Sequence, residues 1–475
     1  MLNGYLYVGP LPLGSVVAHN CGAAGLFSDK VEPDVILEAC EVDGNYTLTV
    51  TIGDTIQTFD GPVSSMGRRQ IGQALLRYLR EYQGLPAEAP WGTMVGVRPT
   101  KLLHKYIDTY GSVHAATRHI RDEFSVSMEK LATLGAIGEY QRPFLADTDD
   151  KKASLYCGIP FCDTRCVYCS FPYGLYQDYD GKSQFLTALG RDIEDMKTIV
   201  ESYGLTVDTL YMGGGTPTVL GDEDFHQVLK QLSILVPEGH EFTVEAGRPD
   251  SVNPRKLRSM LDLGVNRISI NPQTMQDDIL RRIGRGHSAR DIDELLQYVK
   301  HNTSLAVNMD FIAGLPNQTM QNMIENMDYV CQNLPENVTI HTLALKRGSP
   351  LYDLNMQDDI PAEHLVAEMV QYGKERLEAA GYVPYYLYRQ QYMRGQLENI
   401  GYTLPGKACE YNIQIMEERQ SILSMGPGSS SKWMRAPEYR QLKQHMPKDV
   451  DVYHATIDAL LEKRHRICKK FWEVV

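Results

Sequence analysis

Three cysteines stand within eight positions in the stretch FCDTRCVYC, residues 161–169, and they are a third of the nine cysteines of the chain. Cys162, Cys166 and Cys169 offer three thiolates, and cysteine thiolate is the usual protein ligand of iron–sulfur clusters. Three thiolates can hold three irons of a cubic 4Fe-4S cluster, which leaves the fourth iron open. An open coordination position is what a catalytic metal site needs and a structural one lacks. The spacing therefore predicts a metal centre with room for a reacting ligand.

Two other uses of the same thiols stay open on spacing alone. A zinc site needs four ligands, and Cys157 or a distant histidine could supply the fourth. A thioredoxin-like CxxC pair at residues 166–169 is the other alternative. The remaining cysteines are scattered, and a small buried apolar side chain is their ordinary role.

Charge and hydropathy exclude several classes of function. The formal net charge of -13 disfavours nonspecific binding to nucleic acid or to an anionic membrane, because both need an excess of Lys and Arg. No apolar stretch approaches the roughly 18–20 residues that span a bilayer. No basic residue precedes Lys30, so the charged segment of a secretory signal is missing. We expect a cytoplasmic protein with reduced thiols, no nucleic-acid partner and no membrane span.

From residue 154 onward, short apolar runs alternate with longer amphipathic segments, and the cysteines follow the first run. The runs that predict strands are SLYCGIP (154–160), TLYMGG (209–214), FTVEA (242–246), RISINP (267–272), AVNMDFI (306–312) and VTIHTLAL (338–345). Strand–helix alternation predicts a parallel sheet. In a (β/α) barrel, the chemistry lies at the C-terminal ends of the strands. We therefore predict an α/β fold with a partial (β/α)6 TIM-like barrel.

The segments on either side of the barrel carry other signals. VILEACEV and YTLTVTI, around the turn Asp43–Gly44, predict a β-hairpin, and residues 67–83 predict a helix. Pro99 could open a further helix at its first turn. Towards the end we predict a helix near NIQIMEERQSIL (412–423) and terminal helices over 448–470. The predicted division is an N-terminal α+β unit (1–85), a helical connector (86–150), the barrel (151–360) and a mixed α/β C-terminal region (361–475).

The spacing CxxxCxxC after a strand, with Tyr168 directly before the last cysteine, resembles the radical S-adenosylmethionine (SAM) superfamily. GGGTP, residues 213–217, is similar to the glycine run that follows the second strand in that superfamily and binds the methionine amino group of SAM. Glycines let the backbone approach a ligand closely. A phosphate-binding loop is excluded because no GK[ST] follows. The resemblance implies a 4Fe-4S cluster and SAM as cofactors.

Further stretches resemble the oxygen-independent coproporphyrinogen III oxidase family. YCGIPFCDTRCVYCSF resembles its cysteine segment, and VEAGRPD its third-strand motif, which gives Glu245. INPQTMQDDILRRIGR gives Gln273 and Arg285, and MDFIAGLPNQT gives Asp310. WGTMVGVRPTKLLH and HTLALKRGSP are similar to the coproporphyrinogen dehydrogenase branch of the family, so the resemblance spans roughly residues 90–430.

The resemblance implies a role for each matching residue. The cluster ligands would be Cys162, Cys166 and Cys169. The SAM contacts would be Gly213, Gly214, Gly215, Thr216, Glu245, Gln273, Arg285 and Asp310, with Tyr156 and Tyr168 packed beside the cluster. Tyr156, Glu245 and Arg285 would be the catalytic residues.

The chain departs from the family at two positions on the substrate side. Gly158 replaces a histidine, which removes a proton donor and is expected to leave space. Phe171 stands where the family has a fourth cysteine, and this chain has Cys157 instead. Because a family resemblance fixes the cofactor better than the substrate, these departures concern the substrate.

The resemblance implies an oxidoreductase of haem biosynthesis. Reduction of the cluster would cleave SAM, and the resulting 5'-deoxyadenosyl radical would start the oxidative decarboxylation of coproporphyrinogen III propionates to vinyl groups. A tetrapyrrole with four carboxylates would be the substrate, for which Arg281, Arg282 and Lys346 are candidate contacts. A reductant such as flavodoxin or ferredoxin would be a partner. A haem-binding chaperone and a radical SAM methyltransferase or haem-degrading enzyme are the alternatives.

Overall fold

The computed structural model describes residues 2, 4–24, 26, 32–87, 89–94, 98–147, 149–170, 174–345, 349–353, 359–390, 397–437 and 439–473. The chain forms two compact units. The first comprises Met1–Glu139 with Tyr388–Glu398, and the second comprises Tyr140–Leu387 with Asn399–Val475. The four-part division drawn from the sequence stays a prediction.

The first unit is a small sheet with helices. Its strands are β1 (Tyr5–Val8), β2 (Val35–Val42), β3 (Asn45–Ile52) and β4 (Thr55–Pro62), and its helices are α1 (Leu11–Ala23), α2 (Ser65–Tyr82), α3 (Pro99–Tyr110), α4 (Val113–Phe124) and α5 (Met128–Gln141), whose end enters the second unit. The predicted hairpin is confirmed, because β2 and β3 pair antiparallel around Asp43 and Gly44. Both turn residues have positive φ, 48° and 78°, as the tight two-residue turn requires. Pro99 is the first residue of α3, as predicted.

The second unit contains the barrel strands. Its strands are β5 (Lys152–Ile159), β6 (Phe161–Cys162), β7 (Gly174–Leu175), β8 (Thr206–Gly214), β9 (Glu241–Glu245), β10 (Arg267–Ser269), β11 (Ala306–Ala313), β12 (Asn337–Thr342), β13 (Val383–Tyr388), β14 (Asn399–Thr403), β15 (Ser421–Met425), β16 (Ser430–Arg435) and β17 (Arg440–His445). All but β6 and β7 form one sheet, in the order β13-β14-β12-β11-β10-β9-β8-β5-β15-β16-β17. The strands from β5 to β12 within it pair parallel, so the predicted parallel α/β sheet is confirmed.

The second unit has helices after most of its parallel strands and further helices towards its C-terminal end. They are α6 (Lys182–Tyr203), α7 (Asp222–Ser233), α8 (Pro254–Asp262), α9 (Asp277–Arg282), α10 (Ala289–Asn302), α11 (Met320–Asn333), α12 (Pro350–Asp353), α13 (Glu363–Ala379), α14 (Glu410–Glu417), α15 (Val450–Ala455) and α16 (Ile457–Trp472). Short 3-10 helices lie at Arg142–Leu145, Pro217–Val219 and Pro249–Ser251. In the part of the chain that the structure describes, no helix is long and apolar enough to cross a membrane.

The predicted helix over residues 412–423 is wrong at its end. Helix α14 stops at Glu417, and Glu418 takes the left-handed conformation with φ of 51°. The next residues form β15, which is buried along its whole length and pairs parallel with β5. A short apolar run such as SIL fits a buried strand and a buried helix equally well, so the pattern alone misleads.

A buried ion pair fixes α16 to α6. Arg464 Nη2 lies 2.6 Å from Asp192 Oδ1, and both side chains are fully buried. The other oxygen of Asp192 accepts hydrogen bonds from Tyr453 Oη at 2.6 Å and from the Gly426 amide at 2.9 Å. Arg464 Nη1 also contacts Asp195 at 2.9 Å. The network therefore links both C-terminal helices to the loop after β15.

We expect Arg464→Met to lower the free energy of unfolding by about 3–5 kcal/mol, because it leaves the buried Asp192 carboxylate without its cation. Urea denaturation measures this loss. Arg466→Met is the matched control, since Arg466 is exposed and its pair with Glu462 is worth about 0.5 kcal/mol or less. Equal losses in the two variants would contradict the prediction.

Candidate functional site

The cysteine residues lie on a loop that begins at β6 and is held by backbone contacts. Cys162 O accepts a hydrogen bond from the Tyr176 amide at 3.1 Å, and the Cys169 amide donates to Cys166 O at 3.1 Å. The Val167 amide donates to Ile283 O at 3.1 Å, which attaches the loop to the segment after α9. The three predicted thiols are all partly exposed.

The donor chemistry of the loop suits a soft metal centre, and Cys166 and Cys169 lie near enough to Cys162 for their charges to help raise the pKa of its thiol, after burial. Within the described ranges, no group of three His, Cys, Asp or Glu side chains is arranged to hold a metal ion. Burial raises the pKa of the Cys162 thiol to about 11, so a metal that binds there must displace a proton. The assignment of Cys162, Cys166 and Cys169 as ligands thus stays a prediction.

The glycine run forms a tight cradle against the start of the cysteine loop. The Gly215 amide donates to Ile159 O at 2.8 Å, and the Thr216 amide donates to Phe161 O at 2.7 Å. A Cβ on Gly215 would lie 2.2 Å from Phe161 O, so only glycine fits there. Thr216 Oγ1 is 3.7 Å from Cys162 Sγ. The predicted glycine loop and the predicted cysteine loop are therefore in direct contact.

Glu245, the last residue of β9, faces this cradle. Its Oε2 accepts from the Gly214 amide at 3.0 Å, and its Oε1 accepts from Tyr211 Oη at 2.7 Å. Burial raises the pKa of Glu245 to about 7. Burial also raises the pKa of Tyr211 well above its usual value, so its hydroxyl stays a donor. A carboxyl group with such a pKa can hold or release a proton near neutral pH.

Because the pKa of Glu245 is higher in the folded protein than the 4.5 of the free side chain, folding retains a proton that the unfolded chain releases. We expect the contribution of the Glu245 carboxyl to the free energy of unfolding to be fully present below pH 4.5 and lost as the pH rises to 7. The loss is at most about 3 kcal/mol, at 1.36 kcal/mol for each pKa unit. Urea denaturation of the protein and of Glu245→Gln across pH 4.5–7.5 measures it. The same pH dependence in both would contradict the prediction.

Three tyrosines stack inside the barrel beside Glu245. The ring of Tyr211 lies 6.3 Å from that of Tyr156, centroid to centroid, and 4.7 Å from that of Tyr411 on α14. Sequence reasoning singled out Tyr156 and missed the other two. Tyr211 carried a usable signal, because it lies two residues before the glycine run on the same strand. Tyr411 carried none, since α14 follows the barrel by many residues.

Arg285 is buried and holds several loops together. Its Nη1 donates to Asn271 O at 2.6 Å and to Gly247 O at 3.2 Å, and its Nη2 donates to Tyr168 Oη at 3.2 Å. Arg285 Nε and Asn271 Oδ1 are buried without a hydrogen-bond partner in the described part of the chain. Such orphaned atoms fit a site that a polar ligand completes.

Gln273 and Asp310 meet at the backbone of neighbouring strands. The Gln273 amide donates to Asp310 O at 2.9 Å, and Gln273 has a φ of 68°. Asp310 lies within β11, and its Oδ2 is 3.6 Å from His341 Nε2. The structure thus brings the predicted polar residues of β9, β10 and β11 to the same end of the sheet as the cysteine loop.

The expected space at Gly158 is narrow. A Cβ there would lie 3.2 Å from Pro427 O and 3.3 Å from the ring of Tyr156, because the loop after β15 packs on this strand end. Cys157 is fully buried in β5. Of the candidate substrate contacts, Arg282 pairs with Asp359 and Arg281 is exposed. Phe171 and Lys346 lie outside the described residues.

Comparison with known proteins identifies the family. Residues 156–330 match the model of the radical SAM superfamily. The chain is 32% identical over 412 residues to the oxygen-independent coproporphyrinogen-III oxidase-like protein HemZ of Bacillus subtilis, covering 86% of this chain and 82% of the relative. It is 29% identical over 233 residues to the heme chaperone HemW of the same organism, covering 48% of this chain and 60% of the relative.

Among solved structures, the chain resembles coproporphyrinogen III oxidase (HemN) from Escherichia coli, a radical SAM enzyme. The TM-score is 0.53 at 21% identity, and the match covers 68% of this chain and 72% of that one. At this identity the likeness concerns the fold, and it agrees with the parallel sheet described above.

Proposed function

The chain belongs to the radical SAM superfamily, in the family of the oxygen-independent coproporphyrinogen-III oxidase-like protein HemZ, and from this premise we propose that it oxidatively decarboxylates coproporphyrinogen III. The contact of the cysteine loop, the glycine cradle and Glu245 at one end of the parallel sheet carries the proposal. The HemZ relative supports it further, because that similarity extends over 86% of the chain and so includes the regions around the barrel.

The residues of the site would bind two cofactors, a cluster and SAM. Cys162, Cys166 and Cys169 would hold a 4Fe-4S cluster. When bound, the cluster and SAM supply one-electron chemistry that removes a hydrogen atom from carbon. The backbone of Gly213–Gly215 and the side chain of Thr216 would bind the methionine end of SAM.

Glu245 would orient the amino group of SAM, since its carboxyl is already fixed by Tyr211 and by the Gly214 amide. Arg285, Gln273 and Asp310 would contact the rest of the cofactor. The orphaned Nε of Arg285 is a donor ready for such a contact. Tyr156 and Tyr168 would pack beside the cluster and keep water from it. In this scheme Tyr156, Glu245 and Arg285 are the catalytic residues.

The substrate would be a tetrapyrrole, and a flavodoxin or ferredoxin would supply electrons. The family's histidine is replaced by Gly158, and a side chain at this position would need Pro427 or the ring of Tyr156 to shift, since a Cβ would lie 3.2 and 3.3 Å from them. We therefore propose that decarboxylation in this protein uses another proton donor or runs slowly, while SAM cleavage proceeds. General acid–base groups contribute about 100- to 10,000-fold to rates, so a missing donor is measurable.

The test is an anaerobic incubation of the reconstituted protein with coproporphyrinogen III, SAM and a reductant. We expect 5'-deoxyadenosine and a vinyl porphyrin as products, in amounts that show whether the two are coupled. A methylated product would instead indicate a methyltransferase, and loss of haem in a parallel incubation with haem as substrate would indicate a degrading enzyme. Absence of SAM cleavage under reducing conditions would refute the oxidoreductase proposal.

A haem chaperone is the second candidate function, and the similarity to HemW favours it. The two candidates differ in turnover. A chaperone would retain haem at a fixed ratio and yield no vinyl porphyrin. Haem titration of the same preparation, followed by gel filtration, separates the two outcomes.

A further inference from the structure

Arg248 is a buried cation that contacts the cysteine loop, and it is not among the residues considered so far. Arg248 follows β9 by three residues, and its side chain is 4% exposed. Its Nε and Nη2 donate to the two oxygens of Asp250, at 3.0 and 2.6 Å. Its Nη1 donates to Thr164 Oγ1. Thr164 lies between Cys162 and Cys166, so this guanidinium contacts the cysteine loop itself.

Thr164 is also the point where the loop meets the segment after α9. Its hydroxyl donates to Gly284 O at 2.9 Å while it accepts from Arg248. Gly284 has a φ of 81°, and a Cβ there would lie 2.9 Å from Arg165 O, so the two segments are in close contact. Arg248 therefore connects the segment after β9 to the cysteine loop through Thr164, whose hydroxyl is hydrogen-bonded to both Arg248 and Gly284.

The charges around Arg248 are unevenly exposed to solvent. Asp250 is 36% exposed, so water screens its charge more than that of Arg248. His287 lies 4.0 Å from Asp250, but burial, and then the charge of Arg285, lower its pKa to about 4, so it is neutral. Asp163, on the loop, is only partly buried and screened as well. Arg248 itself contacts the cysteine loop through Nη1, while its Nε and Nη2 hold Asp250, so the loop faces the guanidinium more directly than the carboxylate.

We propose that Arg248 is a positioning residue that holds the cysteine loop through Thr164 and whose buried charge raises the reduction potential of the cluster bound there. This inference rests on the proposed function, because it requires the three cysteines to hold a 4Fe-4S cluster. One-electron reduction makes a thiolate-bound cluster more negative, and a desolvated cation nearby stabilises the reduced form. At an effective dielectric constant of about 20, a unit charge within roughly 10 Å shifts a one-electron equilibrium by about tenfold.

The test is a redox titration of the reconstituted protein with dithionite and mediators, followed by electron paramagnetic resonance. We expect Arg248→Gln to lower the ratio of reduced to oxidised cluster about tenfold at a fixed potential, which is 59 mV for one electron. Arg248→Lys keeps the charge and should titrate within about twofold of wild type. Arg255→Gln, which removes an exposed cation, is the matched control and should not shift.

Two further variants separate the charge from the hydrogen bond. Thr164→Val removes the bond to the loop but keeps the cation, so it should release iron faster to a chelator with little change in potential. Asp250→Asn leaves the cation uncompensated, so the reduced fraction should rise. If Arg248→Gln retains no cluster, Asp250→Asn decides alone, and an unchanged or lower reduced fraction would overturn the proposal.

The outcomes also distinguish this inference from the proposed function. If wild type binds no iron–sulfur cluster, the proposed function fails, and Arg248 has nothing to act on. If wild type binds the cluster and the cluster of Arg248→Gln has the same reduction potential as that of wild type, the inference about Arg248 fails while the proposed function stands. An equal shift in Arg248→Lys and Arg248→Gln would likewise refute the role of charge.

Discussion

Cys162→Ala is expected to reduce the iron content of the reconstituted protein from about four atoms per chain to background and to abolish SAM cleavage. Cys162 is the cysteine next to the glycine cradle, 3.7 Å from Thr216 Oγ1, so its loss removes both a ligand and the contact between the two loops. Iron and sulfide analysis, visible absorption and the yield of 5'-deoxyadenosine measure the three effects.

Cys157→Ala is the matched control, five residues earlier in the same segment. Its side chain is fully buried in β5, and burial raises the pKa of its thiol, so it is suited to neither ligation nor reactivity. This variant should keep its cluster and lose only about 1 kcal/mol of stability. Binding of zinc without iron–sulfur absorption in the wild type would contradict the prediction and restore the zinc alternative.

Gly215→Ala has the second large expected effect. The added methyl group would lie 2.2 Å from Phe161 O and 2.7 Å from Phe161 C, and both are backbone atoms that cannot rotate away. The glycine run must therefore move away from the cysteine loop. Because a misplacement of about 1 Å can slow a reaction about 100-fold, we expect SAM cleavage to be at least about 100-fold slower and SAM binding to be weaker. The yield of 5'-deoxyadenosine measures the cleavage, and anaerobic calorimetry measures the affinity.

The same substitution on α6 provides the control for Gly215→Ala. A Cβ on Gly190 would meet only the side chain of Gln231, at 3.4 Å. Gly190→Ala should bind SAM like wild type and gain about 0.5–1 kcal/mol of helix stability. Unaltered SAM binding by Gly215→Ala would show that the cradle is not the SAM site.

The sequence was informative wherever one local pattern determines the structure. Strands β5 and β8 to β12 coincide with apolar runs, and strands of a parallel sheet covered by helices read as such runs. The cradle at Gly215 depends on close approach of two backbone segments, and the turn at Asp43–Gly44 depends on positive φ. A glycine in the sequence indicates either requirement. These parts of the fold could be predicted because the determining residues are neighbours in the chain.

The rest depends on partners that are far away in sequence. The ring of Tyr411 reaches the site from α14, and Pro427 O narrows the space over Gly158 from the loop after β15. Arg282 was a candidate substrate contact, yet Asp359 already pairs with it. Arg248 stood in the motif VEAGRPD, but nothing in that motif shows that its guanidinium meets Thr164. No pattern of periodicity or spacing encodes such pairings.

The pairing of β15 with β5 has a consequence for how the chain is made. Ser154 pairs with Ile422, so roughly 270 residues separate two neighbouring strands. At 5–20 residues per second, a ribosome needs roughly 15 to 50 s to deliver β15 after β5 has emerged. During this interval the first barrel strand has one unpaired edge, and such edges are templates for aggregation. We expect this edge to be open to chaperones or to other chains during that interval, and its closure to be slow because the contact is nonlocal.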